Sequence, residues 1–251
     1  MVVGLERFKE WFESYKEQYV IIGGTACDLL MSDGGLEFRA TKDIDLVLII
    51  EALTPEFGRH FWDFVISAGY EHRNRSTGET QFYRFSHPKS SGYPFMIELF
   101  SRKKDSILLP DDAVLMPLPM EEDISSLSAI LLDDDYYELL QSGKTEVDEI
   151  TVLDVGMLIL FKAKAWLDLS KRRSDGEHID SKNIRKHTND IFRLSALLSQ
   201  NARIPVNQTV CHDMQEFIAA MRKESLDIKQ LGIRRTKEEI LDYFTYIYYG
   251  R

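Results

Sequence analysis

Residues 19–50, YVIIGGTACDLLMSDGGLEFRATKDIDLVLII, contain two apolar runs joined by a glycine turn and a polar loop. The first run, residues 19–22, has the length and composition of a short buried strand, and Gly23 and Gly24 follow it directly. The second run, residues 46–50, is apolar on both faces, which is typical of a central strand. The stretch therefore predicts strand, glycine turn, helix, loop and strand.

Two aspartates precede the second apolar run, with one residue between them. Because successive side chains of a strand point to opposite faces, Asp43 and Asp45 share a face, roughly 6.6 Å apart along the strand. Two such carboxylates repel each other, and a divalent cation would compensate their charge. Carboxylate oxygens favour Mg²⁺ or Mn²⁺. The spacing therefore predicts a divalent-metal site at Asp43 and Asp45.

These motifs, in this order, resemble the signature of the nucleotidyltransferase superfamily, which has the polymerase-beta-like fold. That signature is a strand, a Gly-Gly or Gly-Ser turn, a helix, and Asp-hydrophobic-Asp on the next strand. The forms Gly-Gly-Thr-Ala and Thr-Lys-Asp-Ile-Asp-Leu are closest to the AbiEii-like toxins of type IV toxin–antitoxin systems. The competing interpretation is a glycine turn and a solvated strand edge, which the apolar run after Asp45 argues against.

Composition restricts the class of protein. The chain has 251 residues, a formal net charge of −10 and 44% hydrophobic residues, which suits a soluble globular protein and argues against general coating of nucleic acid. Cys27 and Cys211 lie far apart, and without a signal peptide we expect free thiols in a reducing cytoplasm. No apolar run approaches the ~20 residues that span a membrane.

The remaining patterns predict an α+β fold, with a mixed nucleotidyltransferase sheet flanked by helices and followed by a mainly helical C-terminal region. We expect a catalytic core at residues 1–105, a β-rich extension at 106–153, and a helical domain at 154–251 that closes the active-site cleft. The individual elements are predicted as helices at 4–17, 55–68, 134–140, 154–169, 181–198, 213–225 and 236–248, and strands at 70–74, 80–86, 95–100, 127–132 and 145–153.

A lone glutamate lies in the apolar strand FMIELF, residues 95–100. Glu98 shares its face with Met96 and Phe100, and an unpaired charge is expensive to bury there. In the superfamily a third carboxylate comes from a later strand beside the first pair. Glu98 matches that position, with Glu where Asp is more usual, which implies a metal ligand and general base. The alternative is a structural carboxylate with its own partner.

The AbiEii resemblance extends into the helical region, where the family carries Lys-x-x-Ala and later a Lys/Arg-Asp-x-x-Asp-like helix. Residues 162–165, KAKA, and 186–191, KHTNDI, look like these elements, although His187 stands where the family often has Asp. The resemblance implies that Lys162, or alternatively Lys164, neutralises charge on the pyrophosphate leaving group. Asp190 would then orient that lysine or a substrate group.

One segment of this acidic chain is clearly basic. If residues 171–193 face Asp43 and Asp45, they would attract a triphosphate or RNA; a solvated helix face with salt bridges is an equal alternative. The cations of this segment are Lys171, Arg172, Arg173, Lys182, Arg185, Lys186 and Arg193.

The resemblance implies a metal-dependent enzyme that moves a nucleoside monophosphate from an NTP to a hydroxyl of RNA, protein or a small molecule. A cognate antitoxin would be a further partner. The alternatives are an antibiotic-type small-molecule nucleotidyltransferase and a non-catalytic nucleotide-binding module on the same fold. The oligomeric state stays open. The residues implied in phosphate binding are Gly23, Gly24, Thr25, Lys164 and Lys186.

Overall fold

The computed structural model describes residues 2–77, 80–102, 116–117, 130–131 and 133–249. The chain divides into two compact units. The first, here called the sheet unit, consists of Met1–Pro119 and Gly143–Leu153, and the second, the helical unit, consists of Met120–Ser142 and Asp154–Arg251.

Among the described residues, the sheet unit contains one mixed sheet of eight strands. The strands are β1 Tyr19–Ile22, β2 Asp43–Leu48, β3 Glu71–Thr77, β4 Thr80–Ser86, β5 Met96–Ser101, β6 Met116–Pro117, β7 Lys144–Val147 and β8 Ile150–Leu153. They lie in the order β6-β3-β4-β5-β2-β1-β8-β7. Strand β2 is antiparallel to β1 and parallel to β5, so it lies in the interior of the sheet, as its two-sided apolar sequence predicts. The helices are α1 Leu5–Phe12, α2 Gly23–Asp33 and α3 Pro55–Ala68.

Helix α3 shows how local signals set the bounds of an element. The Thr54 side chain accepts a hydrogen bond from the Phe57 amide at the N-terminus, and Pro55 occupies the first turn. Gly69 ends the helix in the left-handed region, at φ 66°. The structure confirms the predicted helix at 55–68.

One face of the sheet is apolar and covered by helices. Phe61 of α3 contacts Phe85 of β4 with ring centroids 5.3 Å apart, and Phe85 is opposite Ile97 of β5 in the strand register. Ile44 on β2 and Ile97 are both fully buried. The aromatic rings of α1 and α3 continue this core, with Phe12 and Phe64 5.3 Å apart. Residues of β2 that alternate with Ile44 therefore point to the other face.

The helical unit contains five α-helices whose full length lies within the described residues, and residues 130–131 are helical as well. The longest, α5, begins after Asp154, whose carboxylate caps it by accepting from the Gly156 amide at 2.8 Å. The helices are α4 Asp134–Ser142, α5 Val155–Ser174, α6 Ser181–Leu194, α7 Gln208–Lys223 and α8 Lys237–Tyr249. The fold class is thus α+β with a mainly helical C-terminal region, as predicted. Across the described part of the chain, no helix has both the length and the apolar character that a membrane crossing requires.

Several predicted elements differ from the structure. Residues 145–153 are not one strand but the hairpin β7–β8, because Asp148 and Glu149 turn the chain with φ values of 48° and 63°. The predicted helix at 4–17 ends at Phe12 and continues as a 3₁₀ segment. The predicted strand at 127–132 is wrong at residues 130–131, which are helical, and its other residues lie outside the described ones.

Candidate functional site

Asp43 and Asp45 lie on the same face of β2. Both are partly exposed, whereas Ile44 and Leu46, which alternate with them, are fully buried. The burial pattern agrees with the alternation of strand side chains and leaves two neighbouring carboxylates on the face opposite the aromatic core. The predicted pair is therefore present with the predicted orientation.

The strand register adds Glu98 and Arg84 to this face. Asp45 on β2 is opposite Glu98 on β5, and Glu98 is opposite Arg84 on β4. Because neighbouring strands lie roughly 4.8 Å apart, the three side chains form one row across three strands. The sequence placed Glu98 beside the aspartates through the family resemblance alone; the parallel pairing of β2 with β5 supplies the physical reason.

Arg84 holds Glu98 in an ion pair. The Nε and Nη2 atoms of Arg84 both donate to Oε1 of Glu98, at 2.8 and 2.5 Å. The two side chains are 14% and 13% exposed, so the pair is largely shielded from water. Within the described ranges, no group of three His, Cys, Asp or Glu residues has the arrangement of a metal site. Arg84 is therefore the partner that Glu98 would need as a purely structural carboxylate. The role of Glu98 as a metal ligand stays a prediction.

Gly23 brings the glycine turn into contact with the carboxylate pair. Its φ is 70°, and a Cβ atom built on it would overlap Oδ2 of Asp45. Helix α2 begins at Gly23 itself, so the amides of its first turn, which have no acceptor within the helix, lie next to the Asp45 carboxylate. Position 23 therefore requires glycine for two reasons, the left-handed backbone and the close approach of Asp45.

Gly23→Ala is expected to displace the Asp45 carboxylate and to lower both stability and affinity for a divalent cation. Gly35→Ala is the matched control, because Gly35 has nearly the same φ of 69° but open space around its Cα. The control should lose only the stability that the strained left-handed backbone of an alanine costs, about 1–2 kcal/mol. Urea unfolding and Mn²⁺ titration of both variants measure the difference; equal losses in the two would contradict the contact.

Thr25 and Gly24 support the same turn. Thr25 is fully buried, and its hydroxyl donates to the backbone carbonyl of Asp43 at 2.5 Å, which ties α2 to the start of β2. This contact argues for a positioning role in place of the predicted contact with phosphate. A Cβ on Gly24 would lie 2.7 Å from Thr41 Oγ1 and 3.5 Å from Arg39 Nη2. Gly24 therefore lets the loop before β2 approach the helix closely.

The predicted Lys162 and Asp190 meet inside the helical unit. Lys162 Nζ on α5 donates to Asp190 Oδ2 on α6 at 2.9 Å, and the two side chains are 7% and 0% exposed. A buried ion pair of this kind leaves the ammonium with its charge already compensated. That the pair faces Asp43 across a cleft stays a prediction.

Lys164, the alternative lysine, belongs to a different network of the helical unit. Its Nζ donates to Asp213 Oδ2 on α7 at 2.7 Å, and the same oxygen accepts from the Tyr136 hydroxyl at 3.0 Å. Burial raises the pKa of Tyr136 above its usual range, and the Asp213 carboxylate raises it further. Lys164 is 28% exposed and Lys186 is exposed, so both ammonium groups are more accessible than that of Lys162.

Two partners in these networks were not singled out from the sequence. The sequence analysis gives Arg84 no role, and its pairing with Glu98 follows from the antiparallel register of β4 and β5. Asp213 had no role assigned, although it joins Lys164 to Tyr136. The sequence offered one signal for the first of these partners, because a buried charge requires a counter-charge. This rule predicts a cation near Glu98 but does not identify the residue that supplies it.

The sequence matches no protein-family model and no curated protein. Among solved structures, it is similar to the Megavirus polyadenylate synthase, with 13% identity, a TM-score of 0.42, and coverage of 88% of this chain and 36% of that chain. It is also similar to the Cid1 poly(U) polymerase bound to MgGTP, with 9% identity, a TM-score of 0.27, and coverage of 96% and 90%. The chain thus spans about a third of the length of the Megavirus protein.

Proposed function

We propose that the protein is a metal-dependent nucleotidyltransferase that moves a nucleoside monophosphate from an NTP to an acceptor hydroxyl. The observation that carries this proposal is the contact between the glycine turn and the carboxylate pair. The Asp45 carboxylate lies against the Gly23 backbone and the amides that begin α2. Asp43 is on the same face of β2 as Asp45. The sequence motifs support the same reaction class.

The donor set of this site fits Mg²⁺ or Mn²⁺. Asp43 and Asp45 offer carboxylate oxygens on one partly exposed face, and Mg²⁺ commonly binds through one or two carboxylates together with substrate phosphates. When bound, such ions lower the charge on the reacting phosphate and hold the attacking and leaving oxygens. Asp43 and Asp45 would hold the cation, and Glu98 would be a third donor if it left Arg84.

The chain's own groups would bind and orient the triphosphate. The amides of the first turn of α2 favour an anion. Gly23 and Gly24 would let the Asp45 carboxylate and the loop before β2 lie beside these amides without a Cβ clash. Thr25 would keep Asp43 in register through its bond to the Asp43 carbonyl. Arg39, close to Gly24, adds a guanidinium on the loop before β2.

The finer assignments are also proposals. The lysine that neutralises the leaving pyrophosphate would be Lys164 or Lys186 more readily than Lys162, because both are more exposed than Lys162, whose ion pair with Asp190 is buried. Lys164 would first have to leave Asp213. The sequence motifs support the AbiEii-like toxin type, an RNA or protein acceptor and a cognate antitoxin.

The experiment that tests the reaction is incubation with Mg²⁺, each α-labelled NTP and total cellular RNA, with the protein itself as the second acceptor. Label in neither acceptor, with every NTP, would contradict these two acceptor classes.

A second candidate is a nucleotide-binding module without transfer. One observation favours it: Arg84 neutralises Glu98, so only two of the three predicted carboxylates stay available for a cation. This module would bind NTP and Mg²⁺ but release the nucleotide unchanged, which the same incubation detects as binding without transfer.

A matched pair of variants separates the two roles of Glu98. Glu98→Gln and Arg84→Gln break the same ion pair, and each should cost about 1–3 kcal/mol of stability. If Glu98 is a metal ligand, only Glu98→Gln removes a donor atom. We therefore expect Glu98→Gln to lower transfer about a hundredfold and Arg84→Gln much less. Equal transfer rates per folded molecule in the two variants would make Glu98 a purely structural carboxylate.

A further inference from the structure

A pocket of about 390 Å³ lies wholly within the helical unit, between the C-terminal turns of α5, the first half of α6 and the end of α7. Its volume falls in the range of sites for small organic ligands. None of the residues proposed for nucleotidyl transfer lines it. The pocket is therefore lined by a different set of residues from those of the proposed reaction.

Two arginines from different helices converge on the pocket. Arg173 in the last turn of α5 and Arg185 on α6 both line it, and both are exposed. Neither guanidinium forms an ion pair with any residue that the structure describes, although the chain has 41 acidic residues against 31 basic ones. The neighbouring Arg172 contrasts with them, because it binds Glu177 at 2.9 Å.

The remaining lining residues are unlike a site for a bare anion. Trp166 and Met221 are buried at 8% and 1% exposure and, with Ile184 and Leu226, form an apolar wall. Ile184 and Leu226 are the partly exposed members of this wall, so they offer the apolar surface that a ring of a ligand could cover. Glu224 adds one carboxylate, which repels phosphate but accepts hydrogen bonds from amino or hydroxyl groups.

We propose that this pocket binds a nucleoside phosphate, separately from the triphosphate of the proposed reaction. Arg173 and Arg185 would bind the phosphate, since guanidinium groups form paired hydrogen bonds with its oxygens. The base or ribose would pack on Ile184 and Leu226, beside the largely buried Trp166, and donate to Glu224. A free mononucleotide and the terminal nucleotide of a strand share this chemistry, and the experiment distinguishes them.

The test measures equilibrium binding of three probes to the full-length protein: inorganic phosphate, the four nucleoside 5′-monophosphates and an eight-nucleotide RNA. EDTA is present, so that divalent-dependent binding at Asp43 and Asp45 does not contribute. The variant is the double substitution Arg173→Gln/Arg185→Gln. The matched control is Lys171→Gln/Lys182→Gln, which removes the same charge from exposed positions of the same two helices that do not line the pocket.

We expect at least one monophosphate to bind more tightly than inorganic phosphate. The arginine variant should lower the affinity for that monophosphate about tenfold or more. The lysine control should stay within about twofold, and circular dichroism should show both variants folded. An eight-nucleotide RNA that binds about tenfold more tightly than the monophosphate identifies a strand as the source, and equal affinity identifies the free nucleotide.

Three results would overturn the proposal: no binding of any probe, equal weakening in the arginine and lysine variants, or phosphate binding as tightly as every monophosphate. Asp45→Asn separates this site from the proposed reaction, because it should abolish transfer and leave monophosphate binding in EDTA unchanged. Absence of transfer activity in all preparations would therefore not contradict the proposed pocket ligand, and absence of binding in the pocket would not contradict the proposed reaction.

Discussion

Asp45→Asn should lower nucleotidyl transfer by at least about a hundredfold while leaving the protein folded. Asp45 is the carboxylate in contact with the Gly23 turn and opposite Glu98 in the register, so it lies next to the amides that we propose bind phosphate and to the proposed third donor. An amide in its place keeps the shape of the side chain but loses the negative charge that holds a divalent cation. The unfolding free energy should change little, because relief of the repulsion with Asp43 offsets the weaker interaction of a neutral amide with the N-terminus of α2.

The control for this variant is Asp33→Asn, which removes the same charge from an exposed position at the end of α2. It should keep full activity. Initial rates at saturating NTP and Mg²⁺ measure the comparison, and Mn²⁺ titration of both variants gives a readout independent of turnover. Full activity of Asp45→Asn with Mg²⁺ would remove the carboxylate pair from the reaction.

Asp190→Asn should destabilise the protein by about 3–5 kcal/mol, because it removes the carboxylate that pairs with the buried Lys162 ammonium. Asp190 has 0% side-chain exposure and Lys162 has 7%, so water cannot replace the lost partner. The control is Asp168→Asn, which breaks the more exposed pair with Arg172 on α5 and should cost under about 1 kcal/mol. Urea unfolding, with the midpoint and slope fitted separately, measures both losses.

The double variant Lys162→Met/Asp190→Asn should recover part of this stability, since no charge is then left buried. The same proteins test the catalytic role implied by the family resemblance. If Lys162 stabilises the transition state, Lys162→Ala lowers kcat more than it raises KM. If Lys162 is only structural, turnover per folded molecule stays unchanged. A loss below about 1 kcal/mol in Asp190→Asn would contradict the buried pair.

The sequence alone determined the features that depend on near neighbours in the chain. Thr54, Pro55 and Gly69 set the bounds of α3 because caps and left-handed glycines act within one turn. The placement of Asp43 and Asp45 on one face follows from the alternation of strand side chains. The carboxylate pair of the candidate site could therefore be predicted without knowing the order of the strands.

The tertiary structure decided the features that depend on which strands and helices become neighbours. The cation for Glu98 is Arg84 because β4 and β5 pair in one particular register, and no local pattern specifies that register. Likewise, the hydroxyl of Thr25 reaches the Asp43 carbonyl only because α2 packs on β2. Pairing between distant segments is set by the packing of the whole core. For that reason the partners of Glu98 and Thr25 could not be predicted from the sequence.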